Sequence, residues 1–136
     1  MNENNELIEK IFKSLKRSSR LIGSRRWGGH TAESDYDFVV NMNLYTKIED
    51  YCHKNEIWID YNNGSGENNL LYNKRDIKIK SNNLTINILG YDNEDMYRAN
   101  GAFDIVDNIV KIMKLKNKVT RHRICEDSLD LFFKKE

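Results

Sequence analysis

Two short apolar runs, separated by a glycine-serine turn and a polar loop, constrain the fold of this chain more than any other feature. The first run, residues 20–23, predicts a short strand that ends in the Gly23-Ser24 turn. Residues 25–34 are mostly polar or small, as expected for a loop, and Asp35–Asn41 then predicts a second strand with an apolar centre. The segment therefore predicts a strand, a turn, a loop and a strand that opens with carboxylates.

The two carboxylates of the second strand are predicted to lie side by side. Residues i and i+2 of a strand point to the same face, so Asp35 and Asp37 share one face and Tyr36 takes the other. Two carboxylates this close repel each other unless a cation lies between them, and hard oxygen ligands suit Mg²⁺. Gly23 lets the backbone approach a phosphate, and Ser24 offers a hydroxyl and an N–H as donors. These residues indicate a site for Mg²⁺ and a phosphorylated substrate.

The segment resembles the signature of the polymerase-β-type nucleotidyltransferase superfamily, in which Gly-Ser, a loop of this length and Asp-x-Asp follow one another. Ser34 before the first aspartate and the apolar residues 38–40 after the second also fit that pattern. The specific match covers residues 20–40, and the order of predicted elements extends it over residues 5–100. The chain length resembles the minimal, single-domain, phage- and prophage-type members. The resemblance implies transfer of a nucleoside monophosphate from a nucleoside triphosphate to a hydroxyl acceptor, with Mg²⁺ or Mn²⁺ and release of pyrophosphate.

The resemblance also implies which residues bind the nucleotide. In the phage-type members a Lys-x-x-Arg element follows the core, and here Lys118 and Arg121 have that spacing. The implied nucleotide-binding set is Gly23, Ser24, Arg25, Arg26, Lys118 and Arg121. Solvated loop arginines and a solvated basic face are the alternatives for the four cations. In the same loop, Trp27 either stacks on a base or packs beneath the loop, and His30 is a weaker candidate for a metal or acid–base role.

Superfamily members usually carry a third acidic residue on a later strand, and here the corresponding position is Asn87. The implied catalytic set is therefore Asp35, Asp37 and Asn87, with the two aspartates as metal ligands. An amide offers a neutral oxygen to a metal ion but cannot act as a base. Asn87 is then either a weak ligand in an active enzyme, as in phage-type members with asparagine at this position, or a sign that the domain binds nucleotide without chemistry. Alternatively, the third acid is Asp60, Asp76 or Asp92.

Hydrophobic periodicity predicts the remaining elements. Helices are predicted over residues 5–17, 44–55, 93–114 and 120–134, with Gly101 as a point where the third could break. Further strands are predicted at 56–61, 70–80 and 84–90, with a loop at 62–69 and a hairpin turn at Asn82-Asn83. In the last strand Leu84, Ile86 and Ile88 share one face, opposite to Thr85, Asn87 and Leu89. This order predicts an α+β fold with a mixed β-sheet of about five strands, flanking helices and C-terminal helices, in a single domain over 1–136.

Composition restricts the class of protein more than its chemistry. The formal net charge is +1 over 136 residues, so bulk charge argues neither for nor against nucleic acid. No apolar run approaches the roughly 20 residues that cross a membrane, and the polar N-terminus does not resemble a signal peptide. Cys52 and Cys125 lack metal-ligand spacing, and we expect buried free thiols in a reducing, cytoplasmic protein.

The sequence leaves the acceptor open among a protein, a small molecule and RNA, and a homo-oligomer could complete the acceptor site. A second hypothesis is a non-catalytic module that binds a nucleotide or a partner, as an antitoxin-like or phage counter-defence factor. A third is an RNA-binding factor that uses the basic run near Lys118. The intact Asp35 and Asp37 pair favours the enzyme, since a structural role does not require two like charges on one face.

Overall fold

The computed structural model describes residues 2–61, 71–73, 75–115 and 117–134. Its helices are α1 (Asn2–Ser18), α2 (Ser24–Trp27), α3 (Met42–Lys54), α4 (Asn93–Met113) and α5 (Lys118–Phe133). Its strands are β1 (Arg20–Ile22), β2 (Tyr36–Asn41), β3 (Asp60–Tyr61), β4 (Arg75–Lys80) and β5 (Thr85–Tyr91). The loop predicted at 62–69 lies outside the described residues.

The strands form one mixed sheet in the order β1-β2-β5-β4-β3. β2 and β5 run parallel, whereas the other neighbouring pairs are antiparallel. The predicted hairpin turn at Asn82-Asn83 joins β4 to β5, and a 2.8 Å hydrogen bond from the Ser81 amide to the Leu84 carbonyl closes it. The predicted α+β class, with a mixed five-stranded sheet and flanking helices, is confirmed.

Helices cover both faces of the sheet because the strand residues alternate between two apolar cores. The first core joins α1 and α3 to one face and receives Ile86 and Ile88 of β5. The second core joins α4 and α5 to the other face and receives Leu89 and Tyr91. The predicted alternation of β5 is therefore confirmed, and Asn87 lies on the face of the second core.

The strand predicted at 56–61 is wrong in extent, because only Asp60–Tyr61 pairs with a neighbour. Glu56 has a φ of 56°, and the Ile57 amide donates to the Cys52 carbonyl at 2.8 Å. The chain therefore turns back over the end of α3. Ile57 is buried from this turn, so its apolar side chain reflects core packing and not strand pairing.

Three further predictions about element ends and continuity also differ from the structure. The strand predicted over 70–80 begins at Arg75, and the loop at 25–34 begins with the short helix α2. Helix α4 continues through Gly101 without a break. A Cβ at Gly101 would lie 2.6 Å from Cε1 of Phe132, so glycine allows α5 to pack closely against α4.

The two cysteines are free and buried, as predicted. Burial raises the pKa of the Cys52 thiol to about 11 and that of Cys125 to about 12, which suits packing and not reactivity. Within the described ranges, no helix combines the length and the apolar character needed to cross a bilayer.

Candidate active site

The register of three strands places two of the predicted catalytic residues, Asp37 and Asn87, in a row with Lys78. Asp37 of β2 pairs with Asn87 of the parallel strand β5, and Asn87 pairs with Lys78 of the antiparallel strand β4. Paired residues on neighbouring strands project from the same face of a sheet. Asp37, Asn87 and Lys78 therefore lie side by side on the face that α4 and α5 cover.

The side-chain amide of Asn87 connects the two aspartates. Its Nδ2 donates to Asp35 Oδ2 at 3.0 Å and to Asp37 Oδ1 at 2.7 Å. Its Oδ1 is buried and has no hydrogen-bond partner among the described residues. The two ends of an amide have nearly the same shape, so a half-turn of this side chain would replace the donor between the carboxylates with an acceptor.

The environment of Asp37 raises its pKa above the ordinary value of 3.8. Burial, the largest cause, raises the pKa of Asp37 to about 6, and the charge of Asp35 acts in the same direction. The hydrogen bond from Asn87 and the charges of Lys78 and Lys118 lower the pKa, but they do not compensate for the burial. A cation between the two aspartates would favour their ionised forms.

The donor atoms fit a hard divalent cation. The described part of the chain contains no cluster of three or more His, Cys, Asp or Glu side chains that could hold a metal ion. Mg²⁺ is usually held by one or two carboxylates together with waters and substrate phosphates, so Asp35 and Asp37 are sufficient protein carboxylates. After a half-turn, Asn87 Oδ1 would add a neutral oxygen, and this buried atom would gain the partner that it lacks.

Gly23 is held against Asp37 at the edge of this row. Its φ is +80°, in the region that favours glycine, and a Cβ at this position would collide with the Asp37 carboxylate. The next residue, Ser24, begins α2, and both line the same cavity as the aspartates. The glycine of the Gly-Ser turn is therefore required by two independent constraints, its own backbone conformation and the space that Asp37 occupies.

The cavity has a volume of about 380 Å³, within the range of ligand pockets. It brings together all the predicted site residues except two arginines. The members of the predicted set that line it are Gly23, Ser24, Asp35, Asp37, Asn87, Lys118 and Arg121. The cavity is thus lined by residues of the strands and of α5, which are far apart in the sequence.

Arg121 is a buried cation on the α5 side of this cavity. Its side chain is 4% exposed, and its Nη1 donates to the Gly28 carbonyl. Among the described residues, no carboxylate forms an ion pair with it, and burial lowers the pKa of its guanidinium. A buried guanidinium without a carboxylate partner is unfavourable until an anion reaches it. Arg121 therefore suits a phosphate in the cavity.

The two arginines after the Gly-Ser turn do not line the cavity. The Arg25 guanidinium donates to the carbonyls of Ala32 and Ser34 at 3.0–3.3 Å and lies 4.2 Å from the centre of the Tyr36 ring. Arg26 pairs with Asp107 at 3.2 Å. Both side chains hold the loop in place, and phosphate binding by either remains a prediction.

The other two loop candidates also make structural contacts. Trp27 is buried, donates from Nε1 to Asp107 Oδ1 at 2.6 Å, and packs against Phe103 with ring centres 6.2 Å apart. This environment favours the packing interpretation over stacking on a base. His30 is exposed, and its Nδ1 lies 3.2 Å from the Ser24 carbonyl oxygen.

The alternative third acids differ in burial and in their positions relative to the strands and helices. Asp60 is exposed on the edge strand β3, and Asp92 precedes α4. Asp76 is buried and lines the cavity, but it pairs with Leu89, two residues beyond Asn87 on β5. None of the three forms a metal-holding cluster with the Asp35 and Asp37 pair.

Lys78 is the site residue that sequence reasoning missed. Its Nζ lies 3.7 Å from Asp35 Oδ2. The alternation Ile77-Lys78-Ile79-Lys80 indicates which face Lys78 occupies, but contact with Asp35 depends on the pairing of β4 with β5 and of β5 with β2. Only correct registers for both pairs would have revealed it.

Comparison of the chain with family models, with curated proteins and with solved structures found no match in any of the three.

Proposed function

We propose that this chain is a metal-dependent nucleotidyltransferase, which transfers a nucleoside monophosphate from a nucleoside triphosphate to a hydroxyl acceptor. One observation carries the proposal: Asp35, Asp37 and Asn87 line the same cavity as the buried Arg121, which has no carboxylate partner among the described residues. Carboxylates suit a divalent cation and a guanidinium suits a phosphate. The cavity thus offers complementary charges to both parts of a metal–triphosphate.

The proposed step is an in-line displacement at phosphorus. The acceptor oxygen forms a bond to the α-phosphorus, the bond from this phosphorus to the oxygen bridging to the β-phosphate breaks, and pyrophosphate leaves. Asp35 and Asp37 would hold a divalent cation, which would supply neutralisation of the phosphate charge. Asn87 cannot accept the hydroxyl proton, because an amide is not a base. The proton therefore passes to solvent water or to another group than Asn87.

The phosphates beyond the scissile bond are assigned to the other residues of the cavity. Ser24 offers its hydroxyl, and Gly23 allows the backbone to come close. Lys118 and Arg121 of α5 supply positive charge, and Arg121 is fixed by its hydrogen bond to Gly28. Fixed donors of this kind stabilise developing charge on the leaving pyrophosphate, because they need not reorganise during the reaction.

Label transfer tests the proposal. The protein would be incubated with each α-³²P-labelled nucleoside triphosphate, Mg²⁺ or Mn²⁺, and cell lysate as the source of acceptors. We expect a labelled species with the wild type and none with Asp37→Asn. The matched control is Asp50→Asn, the same chemical change at an exposed position of α3. Turnover by folded Asp37→Asn would refute the assignment.

The labelled species would also identify the acceptor class. Sensitivity to protease would indicate a protein acceptor, sensitivity to nuclease an RNA acceptor, and resistance to both a small molecule. A homo-oligomer that completes the acceptor site would appear as activity that depends on protein concentration.

A second candidate function is a nucleotide- or partner-binding module without catalysis. The observation that favours it is the Asn87 amide, which already occupies both aspartates with its two N–H groups. Nucleotide binding in a thermal-shift assay, without label transfer, would support this module. The variant Asn87→Asp further distinguishes the enzyme from the binding module. A sharp gain of activity in this variant would mean that the natural protein lacks only the third carboxylate.

A further inference from the structure

The fixed charges around the aspartates differ from those of a site that holds two metal ions. In two-metal sites the cations lie about 3.5–4 Å apart and together clamp the attacking and leaving oxygens. Here the position beside Asp37 carries the neutral Asn87, and the next position in the row carries Lys78. Together with Asp35, the row therefore supplies two carboxylates and one cation from the protein itself.

Lys78 is only partly exposed to solvent, and its ammonium group lies beside the aspartates. Its side chain is 28% exposed, its Nζ lies 3.7 Å from Asp35 Oδ2, and its charge also acts on Asp37. Lys118 and Arg121 line the cavity on the α5 side, and the described residues show neither within ion-pair distance of Asp35 or Asp37. Among the residues that the structure describes, Lys78 is thus the cation within ion-pair distance of Asp35, one of the two aspartates.

We propose that Lys78 takes the electrostatic place of a second metal ion, so that this site binds one divalent cation. The inference rests on the proposed function, which supplies the first cation and the triphosphate. An ammonium group beside Asp35 neutralises part of the carboxylate charge and repels a second divalent ion at close range. Lys78 would act through its charge and would neither accept nor donate a proton in the reaction.

Counting Mn²⁺ tests the inference without reference to turnover. The probe is Mn²⁺ with α,β-methylene-ATP, which cannot release pyrophosphate, and the readouts are bound Mn²⁺ per protein and the electron paramagnetic resonance spectrum. Two ions at the separation of a two-metal site are magnetically coupled, whereas a single ion gives a mononuclear spectrum. We expect one ion and a mononuclear spectrum for the wild type.

The decisive variants restore the third carboxylate with and without Lys78. Asn87→Asp alone is expected to keep one ion, since the lysine remains. Asn87→Asp combined with Lys78→Met is expected to bind two coupled ions. The matched control combines Asn87→Asp with Lys80→Met, which removes the same charge from an exposed residue of the same strand, two positions away. This control should keep one ion. Lys78→Gln replaces Lys78→Met if the latter does not fold.

Each result decides between defined alternatives. A coupled pair of ions in the wild type or in Asn87→Asp would overturn the inference, and so would a single ion in the folded Asn87→Asp, Lys78→Met protein. In those cases the proposed function would stand, because the aspartates would still bind metal. A wild type whose affinity for the nucleotide analogue is unchanged by Mn²⁺ would contradict the proposed function, and the inference would fall with it.

Discussion

Two carboxylate environments on the same side of the sheet have opposite electrostatics. Asp107 of α4 accepts hydrogen bonds from Trp27 Nε1 at 2.6 Å and from Arg26, and it pairs with Arg20 at 2.8 Å. Burial raises the pKa of Asp107, but these partners outweigh burial and the pKa is lowered. The pKa of Asp37 is raised instead, because burial and the charge of Asp35 outweigh the hydrogen bond from the neutral Asn87 amide and the charges of Lys78 and Lys118.

This difference distinguishes Asp107, whose charge is compensated by cations of the chain, from Asp37, whose charge is not. Asp107 has its cations built into the chain, and it ties β1 and the loop after the Gly-Ser turn to α4. The pair of Asp35 and Asp37 has one lysine at 3.7 Å for two carboxylates. Two adjacent carboxylates with a single nearby lysine lower the stability of a protein unless an external cation neutralises them. An excess of negative charge of this kind is typical of functional sites.

The largest effect is expected for Asp37→Asn. Label transfer should fall by at least about 1,000-fold, because the metal-binding charge is removed. The free energy of unfolding at neutral pH should stay the same or rise, because an ionised, buried carboxylate of raised pKa is costly. Activity assays and urea unfolding of the same preparation check both. A clear loss of stability would mean that Asp37 is a structural residue like Asp107.

The next effect is expected for Gly23→Ala, which places a Cβ against Asp37 and forces an alanine to a φ of +80°. We expect a loss of about 3 kcal/mol in the free energy of unfolding, from strain and overpacking together. In the Gly23→Ala background, Asp37→Ala should remove the steric collision and recover that part of the lost free energy of unfolding. The part that comes from the positive φ of residue 23 should remain. A double-mutant cycle measures the coupling, and a coupling near zero would contradict the close approach.

Asp107→Asn is expected to lower the free energy of unfolding by about 2 kcal/mol, because two arginines and an indole N–H lose a charged acceptor. Metal binding at the aspartate pair should be unchanged. Asp104→Asn is the matched control, since Asp104 pairs with the same Arg20 but its side chain is 67% exposed. Its effect should be below about 0.5 kcal/mol. Equal losses in the two variants would count against the special role of Asp107.

The pH dependence of stability is expected to differ in sign between the two carboxylates. The pKa of Asp37 rises from 3.8 to about 6 on folding, so the folded state binds more protons between these values. Stability of the metal-free protein should therefore fall as pH rises through this window, by at most about 1.4 kcal/mol per pH unit. Asp37→Asn should remove this slope.

The lowered pKa of Asp107 has the opposite effect on stability, because the stabilisation that Asp107 contributes is lost only as the pH falls below 3.8. Urea unfolding with chelator, from pH 3.8 to about 6 for Asp37 and below pH 3.8 for Asp107, checks both.

The parts of the fold that were predictable depend on local patterns. Alternation along β5 placed Asn87 on the correct face, and the Gly-Ser turn and the spacing to the aspartates gave the acidic pair. The strand predicted at 56–61 failed because buried isoleucines also occur in a turn that follows a helix. Apolar content alone does not distinguish these two environments.

The parts that were not predictable depend on contacts between distant residues. Arg26 resembles a phosphate ligand in the sequence, yet it pairs with Asp107, 81 positions away. Lys78 reaches Asp35 only through two strand registers. Arg121 is part of a basic run whose composition is typical of a solvated helix face. Its burial results from the packing of α5 against the rest of the fold. No short-range pattern carries this information.

The parallel pairing of β2 with β5 has a consequence for how the protein folds. Asp37 and Asn87 are 50 positions apart, whereas β4 and β5 are joined by a short hairpin. Closing the longer loop costs more chain entropy, so the hairpin should form before β2 docks beside it. The divalent cation that we propose would then meet its two carboxylates and the amide together only in nearly native chains. Added metal should therefore slow unfolding far more than it accelerates folding.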